Sequence, residues 1–397
     1  MKSRIYLIIF SMAFFSCTHS TIVIKNKMKG QLVATHYLVP AGEKKILLDE
    51  ETAPQSPYMQ MIADSTGARI LTLLNPYKNA IYYYDYEKEI FLGKTGYDKE
   101  GPNGIMRLAG YYIKNMDSIY VYNRQMIEVA LTDSAGRVKH RIPLIDNSRQ
   151  DWTLFFAQYI LNTVIPIFDT QGKLIVTGFY HSSISSERID LFRFTASVDM
   201  KTNEVEFMFP YPKELYGSDS NWEGGMSTLV YPALSPTGEI ILSFPVSHNL
   251  YIASLNSTMY KTVYGGSNTA STIQSIDWDP ETTPTEVILA NDAQQDMYTG
   301  IRYDTWRKVY YRIILQGMPN ANYDTDRNKK RIAVIIMDEQ FNYMGETVIG
   351  ECKQWNWKNC FVTSEGLNIE YISEDDQDEN YMIFKIFKIE KTLKNTQ

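Results

Sequence analysis

Acidic residues beside tryptophans are the groups in this sequence whose types and spacing could bind or process a sugar. Asp277 and Asp279 flank Trp278, and Glu223 directly follows Trp222. Cleavage of a glycosidic bond uses two carboxyl groups about 5 to 10 Å apart across one cleft, whereas binding needs only ring faces and planar polar groups. Because sequence spacing does not fix the carboxyl separation, we predict a non-enzymatic binding or scaffolding role, with a polysaccharide hydrolase or lyase as the alternative.

Other patterns for catalysis or metal binding are incomplete. The chain has 5 His and 3 Cys in 397 residues, and the histidines are scattered singly. Asp324 opens a D-x-D-x-N sequence, but Lys329 and Ile335 stand where a calcium loop has Gly and Glu. We therefore predict no catalytic residue, no metal and no cofactor. The formal charge of -7 leaves no basic excess to neutralise phosphates, so nucleic acid is not an expected partner.

Two cysteines near the C-terminus, Cys352 and Cys360, could form a disulfide. An oxidising compartment permits such a bond, which would restrict the intervening loop in the unfolded chain. Because the Cα separation cannot be read from the sequence, a pair of buried free thiols stays the alternative.

Short strands joined by tight turns recur through the chain. In each copy an apolar run ends at a turn opened by Asp, and a second apolar run follows. Asp suits the first turn position because its carboxylate accepts a hydrogen bond from the backbone two residues on. The five predicted hairpins lie at residues 81–92, 127–142, 191–209, 301–313 and 332–348.

A turn followed directly by a strand occurs six times, which predicts the architecture. The first apolar residues of these units are Ile81, Ile119, Leu174, Ile240, Val309 and Leu367. Many short antiparallel strands need protected sheet edges, and radial repetition of four-stranded sheets provides them. We predict an all-β chain folded as a six-bladed β-propeller. A seven-bladed or irregular propeller and two packed β domains are the alternatives.

Closure of the ring is predicted at the N-terminus. There, Thr21–Ile24 or Gln31–Ala34 would complete the sheet formed by the last strand, Tyr381–Ile389. Such pairing would remove the last unprotected sheet edge.

Four long connectors are predicted to emerge on one face of the propeller, because each joins the outer strand of one blade to the inner strand of the next. They lie at residues 96–105, 211–227, 265–295 and 351–359, and they carry Trp222, Trp278, Trp355 and Trp357. We predict that these four tryptophans bind a ligand, with structural packing in the seams between blades as the alternative.

The N-terminus has the features of a bacterial lipoprotein signal. Lys2 and Arg4 precede an apolar run over residues 5–15 that is too short to span a bilayer. Ser16 and Cys17 follow, in the order of a lipobox. We predict cleavage before Cys17 and lipid attachment at its side chain, which would anchor the protein to the outer membrane.

The predicted domain organisation follows from this signal and from the strand repeats. Residues 1–16 form the signal peptide, residues 17–30 a tether, and residues 31–397 a single propeller domain. The membrane is then one partner, through the lipid. A glycan, a peptide or an envelope protein is the expected partner of the domain, and both the periplasmic and the surface-exposed side of the membrane stay open.

Several segments resemble the DUF4221 family of uncharacterised Bacteroidota lipoproteins. They are Gly101–Ile105, Asp117–Tyr120, Ile301–Asp304 with Tyr310–Arg312, Met337–Glu339 with Gly345–Glu346, and Thr363–Leu367. The family's fold is grouped with TolB-like six-bladed propellers, so the resemblance implies this fold and the envelope compartment. It implies no activity, because no reaction is assigned to the family.

Overall fold

Six antiparallel sheets of four strands form the blades of a β-propeller. The computed structural model describes residues 21–52, 54–64, 66–146, 156–222, 226–257, 259–374 and 380–392. Within these residues the chain completes one blade before it enters the next, except at the ring closure. The prediction of an all-β, six-bladed propeller is therefore confirmed.

The strands follow one another from the axis to the rim of each blade. Two strands precede the first blade, β1 (Val23–Ile24) and β2 (His36–Leu47). Blade 1 consists of β3 (Met59–Ala63), β4 (Arg69–Asn75), β5 (Ala80–Asp85) and β6 (Ile90–Gly96). Blade 2 consists of β7 (Leu108–Asn115), β8 (Ser118–Asn123), β9 (Glu128–Thr132) and β10 (Val138–Pro143). Blade 3 consists of β11 (Phe168–Thr170), β12 (Lys173–Thr177), β13 (Thr195–Asp199) and β14 (Val205–Met208).

The remaining blades repeat this order, and the last one takes its outer strand from the N-terminus. Blade 4 consists of β15 (Tyr231–Leu234), β16 (Ile240–Ser243), β17 (Asn249–Ala253) and β18 (Lys261–Tyr264). A short strand, β19 (Ile273–Gln274), lies in the next connector. Blade 5 consists of β20 (Met297–Asp304), β21 (Val309–Gln316), β22 (Arg331–Asp338) and β23 (Tyr343–Glu351). Blade 6 consists of β24 (Trp355–Thr363), β25 (Gly366–Tyr371), β26 (Tyr381–Lys391) and β2.

All five predicted hairpins are present. They are β5–β6, β9–β10, β13–β14, β20–β21 and β22–β23. In each, the carboxylate of the Asp that opens the turn accepts hydrogen bonds from backbone N–H groups two to four residues later. The five acceptors are Asp85, Asp133, Asp199, Asp304 and Asp338. The bond from the Thr202 N–H is the main reason that the pKa of Asp199 lies below its usual value.

The six predicted repeat units each fall in a different blade. Five of them begin the second strand of a blade, whereas the unit at Ile81 begins the third strand of blade 1. Asn79 takes a positive φ of 50° in the turn before β5, as Lys308 does before the second strand of blade 5. The local turn pattern therefore does not distinguish a third strand from a second one. The uneven spacing of the units reflects connectors of different length.

Ring closure occurs one segment later than predicted. Strand β2 pairs with β26 along its length, so neither Thr21–Ile24 nor Gln31–Ala34 closes the ring. The reason is length, because β26 presents 11 residues and a short segment would leave most of its edge unpaired. Strand β2 offers 12 residues and absorbs the extra one in a bulge after Pro40. Val23 and Ile24 pair with β19 instead.

The two faces of the propeller differ in the loops that they carry. We call the face with the connectors between blades and the loops between second and third strands the connector face, and the opposite one the hairpin face. The helices among the described residues lie on the connector face and are α1 (Lys213–Tyr216), α2 (Thr285–Gln294), α3 (Tyr323–Asp326) and a 3-10 turn (Arg327–Lys329). Of the helices in these described segments, none has the length and apolar character to cross a membrane.

The described part of the predicted tether, residues 21–30, is held along the connector face. Strand β1 pairs with β19 in the connector between blades 4 and 5. Asn26 Nδ2 donates to the carbonyl of Ser267 at 2.8 Å, and Thr21 Oγ1 donates to Asp277 Oδ1 at 3.2 Å. The chain therefore approaches the propeller from the connector face.

Candidate functional site

A cavity of about 370 Å³ lies on the central axis, between the innermost strands of blades 3, 4 and 5. It reaches the loops that join the first and second strands of blades 4 and 5, so it lies toward the hairpin face. Its volume is within the range of small-molecule sites. Most of the lining is apolar and comes from Pro166, Phe168, Pro232, Ala233, Leu234 and Pro236.

Arg302 brings a charged group to this axial cavity. It lies near the end of β20, and its Nε donates to the carbonyl of Cys360 on the inner strand of blade 6 at 3.1 Å. Among the described residues, no carboxylate forms an ion pair with the guanidinium, and no acceptor is bonded to Nη1 or Nη2. The outer edge of the guanidinium is therefore available to a ligand.

The groups around Arg302 do not neutralise its charge at neutral pH. Burial lowers the pKa of Arg302 from its ordinary value, but a guanidinium stays charged at pH 7. The acidic groups that interact with it are the Cys360 thiol, whose pKa burial raises to about 12, and the Tyr58 phenol, whose pKa burial also raises. Both stay uncharged at pH 7. Because an unpaired charge in apolar surroundings is costly, the cavity favours an anion.

An aromatic contact lies at the opposite, connector end of the inner strands. Trp357 on the inner strand of blade 6 contacts Tyr231 on the inner strand of blade 4, with ring centroids 6.1 Å apart. Blade 5 lies between these two blades in the ring, so the two rings meet on the axial side of its inner strand. Both rings are buried. This contact lies at the opposite end of the inner strands from the loops that line the axial cavity.

A larger groove of about 750 Å³ lies between blades 1 and 2. Its two cations already have carboxylate partners. Lys94 Nζ is 3.0 Å from Glu51 Oε2, and Lys114 Nζ is 3.7 Å from Asp169 Oδ2. We therefore assign the candidate site to the axial cavity, where Arg302 has no carboxylate partner in the described part of the chain.

A buried polar network joins the connector ends of the inner strands. Asn356 and Asn359, at a bulge in β24, both donate from Nδ2 to Glu370 Oε2 at 2.6 Å. Asn359 also donates to the carbonyl of Ser56 and accepts from Thr163 Oγ1. The network thus ties blade 6 to the connectors that enter blades 1 and 3. Burial raises the pKa of Glu370 to about 7.

We expect Glu370→Gln to stabilise the protein by about 1 to 3 kcal/mol near pH 8 and to have little effect below the ordinary carboxyl pKa. The raised folded-state pKa means that the folded protein binds this proton more tightly than the unfolded chain. The contribution to the free energy of unfolding is therefore complete at low pH and is lost as the pH rises through about 7. Gln accepts the same hydrogen bonds without titrating. Urea unfolding at both pH values measures the difference, and an equal effect at both would contradict the raised pKa.

Comparison with known proteins agrees with this architecture. The family model described as "Domain of unknown function (DUF4221)" matches residues 37–348. The chain belongs to the DUF4221 family. The resemblance found in the sequence is thereby confirmed.

Solved structures show the same fold for this DUF4221 chain. A crystal structure of a DUF4221 member from Bacteroides vulgatus is similar to it with a TM-score of 0.72 and 19% identity, covering 90% of this chain and 99% of that chain. A protein from Bacteroides fragilis, named as exported, is similar with a TM-score of 0.51 and 10% identity, covering 89% of this chain and 96% of that one. Among curated proteins, none matches the chain. At these identities the likeness establishes the fold alone.

The four tryptophans predicted to bind a ligand do not form one surface in this DUF4221 protein. Trp222 lies in a connector, but its ring is buried, and Trp278 is exposed in the next connector. Trp355 and Trp357 lie on an inner strand and not on a connector, because β24 already begins at Trp355. Their predicted placement in a connector was therefore wrong, although both lie at the connector end of β24. Trp357 contacts Tyr231 there.

We expect Trp222→Ala to lower the free energy of unfolding by about 3 to 5 kcal/mol, and Trp278→Ala to change it by less than about 0.5 kcal/mol. The Trp222 side chain is 2% exposed and donates Nε1 to the carbonyl of Leu215 at 2.8 Å, whereas Trp278 is 42% exposed. Chemical denaturation of both variants tests this contrast. A loss for Trp222→Ala no larger than that for Trp278→Ala would contradict the packing role.

Two of the three carboxylates considered for glycosidic cleavage, Asp277 and Asp279, lie on the connector face. Asp277 and Asp279 are exposed, and Asp279 Oδ1 accepts a hydrogen bond from the Glu281 N–H within a local turn. Glu223 lies outside the described residues. In the described part of the chain, neither aspartate lines the axial cavity, and the hydrolase alternative stays a prediction.

The two C-terminal cysteines are free thiols in the structure, so the disulfide that the sequence permits is not formed there. Cys352 lies in the turn between β23 and β24, and Cys360 lies buried on β24. Burial raises the pKa of these thiols to about 11 and about 12, respectively. The predicted lipid-attachment residue, Cys17, and the predicted signal peptide lie outside the described residues.

Sequence reasoning missed Arg302, which lines the axial cavity, and Glu370, which accepts the hydrogen bonds of the buried polar network. In the sequence they are members of strand repeats, Arg302 within Ile301–Asp304 and Glu370 three positions after Leu367. The available signal was a charged residue inside an otherwise apolar or aromatic strand. Inner and second strands are mostly buried in a propeller, so such a charge indicates a buried polar network or a binding site.

Proposed function

We propose that this protein is a non-catalytic binding protein of the cell envelope, anchored to the outer membrane by a lipid on Cys17. The axial cavity carries the proposal, because a mostly apolar chamber whose one charged group has no carboxylate partner among the described residues suits the capture of a ligand. A glycan, a peptide or a segment of an envelope protein is the class of ligand expected from the sequence. The exported name of a similar Bacteroides protein supports the envelope compartment.

The point at which the N-terminal segment reaches the propeller would orient the domain with respect to the membrane. Thr21 contacts the connector face, and the chain from Cys17 to Thr21 spans at most about 14 Å. A lipid on Cys17 would therefore hold the connector face toward the bilayer. The hairpin face, with the axial cavity, would point away from the membrane. In this proposal the ligand-presenting face is opposite to the one expected from the connector tryptophans.

We expect Cys17→Ser to release the protein from the membrane fraction of a Bacteroides host. The physical reason is that acyl chains bind a bilayer through their buried methylene groups, and Ser provides no thiol for their attachment. Cys352→Ser, which leaves the anchor intact, is the matched control and should remain with membranes. Fractionation followed by detergent extraction measures the partition. Equal membrane retention of all three proteins would contradict lipid anchoring.

Binding is tested by thermal unfolding of residues 18–397 with glycans, envelope peptides, and calcium against a chelator control. A ligand present at 100 times its dissociation constant adds about 2.7 kcal/mol of stability. A selective shift with one class would support the binding role. Turnover of an envelope polysaccharide by the purified protein would overturn the non-catalytic assignment. The absence of any shift, together with no partner co-purified from the native envelope, would overturn the binding role.

A further inference from the structure

We propose that the axial cavity binds the carboxylate of a small and otherwise apolar molecule, and that Arg302 is the residue that receives this carboxylate. The inference rests on the proposed binding function and specifies the ligand class of the same site. It is carried by the position of Arg302 in the cavity, by the lack of an acceptor for Nη1 and Nη2 among the described residues, and by the mostly apolar character of the remaining lining.

The hydrogen bonding of Arg302 leaves the appropriate part of the side chain free. Its Nε is fixed by the carbonyl of Cys360 at 3.1 Å, which orients the guanidinium plane. The Nη1 and Nη2 groups have no acceptor among the described residues. Two parallel N–H donors in one plane match the two oxygens of a carboxylate. The group is thus held in position before the ligand arrives.

Other buried or half-buried arginines of the propeller already have partners. Arg307 Nη1 is 2.9 Å from Asp304 Oδ2, and Arg141 Nη1 is 2.5 Å from Glu128 Oε1. Arg312 lacks a carboxylate, but backbone carbonyls and a hydroxyl accept from all three of its nitrogens. Arg302 differs from these because its outer nitrogens have neither kind of partner in the described structure.

The lining of the cavity selects a monoanion with an apolar body. Phe168, Leu234 and three prolines provide most of the contact surface, and the hydroxyl groups of Ser235 and Thr305 are neutral donors that cannot neutralise a second negative charge. One guanidinium neutralises one carboxylate, whereas a dianion such as a phosphate monoester would retain unpaired charge in apolar surroundings. Tyr303, whose hydroxyl donates to Glu339 Oε1 at 2.6 Å, is already engaged. We therefore assign the site to a carboxylate and not to a phosphate.

Calorimetric titration with N-acetyl-leucine and N-acetyl-leucinamide tests the assignment. The first probe carries a carboxylate where the second carries an amide, and both fit a cavity of this volume. We expect the acid to bind and the amide to bind about 10- to 100-fold more weakly. Arg302→Met should weaken binding of the acid by a similar factor and leave binding of the amide unchanged. Arg331→Met, at an exposed position at the start of β22, is the matched control and should bind as the natural chain does.

Folding of the variants is checked by their unfolding temperatures. Arg302→Met removes an unpaired charge from apolar surroundings, so we expect an unfolding temperature equal to or above that of the natural chain. The assignment would be overturned if Arg302→Met changed the affinity for the acid by less than about twofold. It would also be overturned if the natural chain bound the amide or phenyl phosphate more tightly than the acid. No binding of the acid at about 10 mM would also overturn it. The binding function itself would still be judged by the ligand screen and by partners from the envelope.

Discussion

Replacing Arg312 by Met is expected to lower the free energy of unfolding by about 4 kcal/mol or more. Arg312 lies on β21 and is fully buried, and its guanidinium stacks 3.9 Å from the ring centroid of Tyr298. Its nitrogens donate to the Ser243 hydroxyl and to the carbonyls of Phe244, Ser247, His248 and Gly265. One side chain therefore holds together the loop between β16 and β17 and the start of the following connector.

The expected loss comes from the acceptors that Met would leave behind. Met has a volume close to that of Arg but donates no hydrogen bond, so buried carbonyls of blade 4 would lose their donors. Each buried acceptor without a partner costs about 1 to 3 kcal/mol. Burial lowers the pKa of Arg312 to about 10, so the side chain remains charged at neutral pH, and Lys cannot reproduce its planar set of donors. We therefore expect Arg312→Lys to be destabilising as well.

Urea unfolding at neutral pH measures this effect. Arg331→Met, at an exposed position, serves as the control and should change the free energy of unfolding by less than about 0.5 kcal/mol. A loss below about 1 kcal/mol for Arg312→Met would contradict the role assigned to this hydrogen-bond network. Comparison with Arg302→Met separates a structural arginine from a ligand-binding one, because only the first should destabilise the protein.

Removal of residues 1–47 is expected to abolish cooperative folding. The deletion takes away β2, and β26 would then present an unpaired edge of 11 residues. It also removes Ile46, which is fully buried with Leu71, Tyr82 and Phe384 in the core between blades 6 and 1. Long exposed edges pair with other chains, so the expected product is aggregated and has no sharp thermal transition.

The matched control is a chain that starts at residue 21 and keeps β2. It should unfold in one transition, as measured by circular dichroism, and elute as a single species in gel filtration. A sharp transition of the shorter chain, within a few degrees of that of the control, would show that ring closure contributes little to stability. That result would contradict the importance given to the β2–β26 pairing.

The hairpins could be predicted from the sequence because their determinants are local. The hydrogen bonds from backbone N–H groups to Asp85, Asp199 and Asp338 join residues two to four positions apart. Such bonds need no tertiary partner. The number of blades followed from counting repeated units, one of which falls in each sheet.

The candidate site could not be predicted in the same way. Arg302 meets Cys360 from a different blade, and Trp357 meets Tyr231 across the axis. No periodicity in the sequence distinguishes a tryptophan that faces a ligand from one that fills an axis or a seam. Trp222 and Trp278 lie in connectors, yet one is buried and the other is exposed.

The sequence by itself determined the fold class, the hairpins and their Asp turns, the number of blades and the family. It did so because these properties depend on alternation, turn chemistry and repetition within short stretches of chain. The tertiary structure alone decided that β2 closes the ring, that Trp357 contacts Tyr231, and that Nη1 and Nη2 of Arg302 have no acceptor among the described residues at a cavity. Each of these depends on which distant strands lie side by side, and that is fixed by long-range packing and pairing across the whole ring.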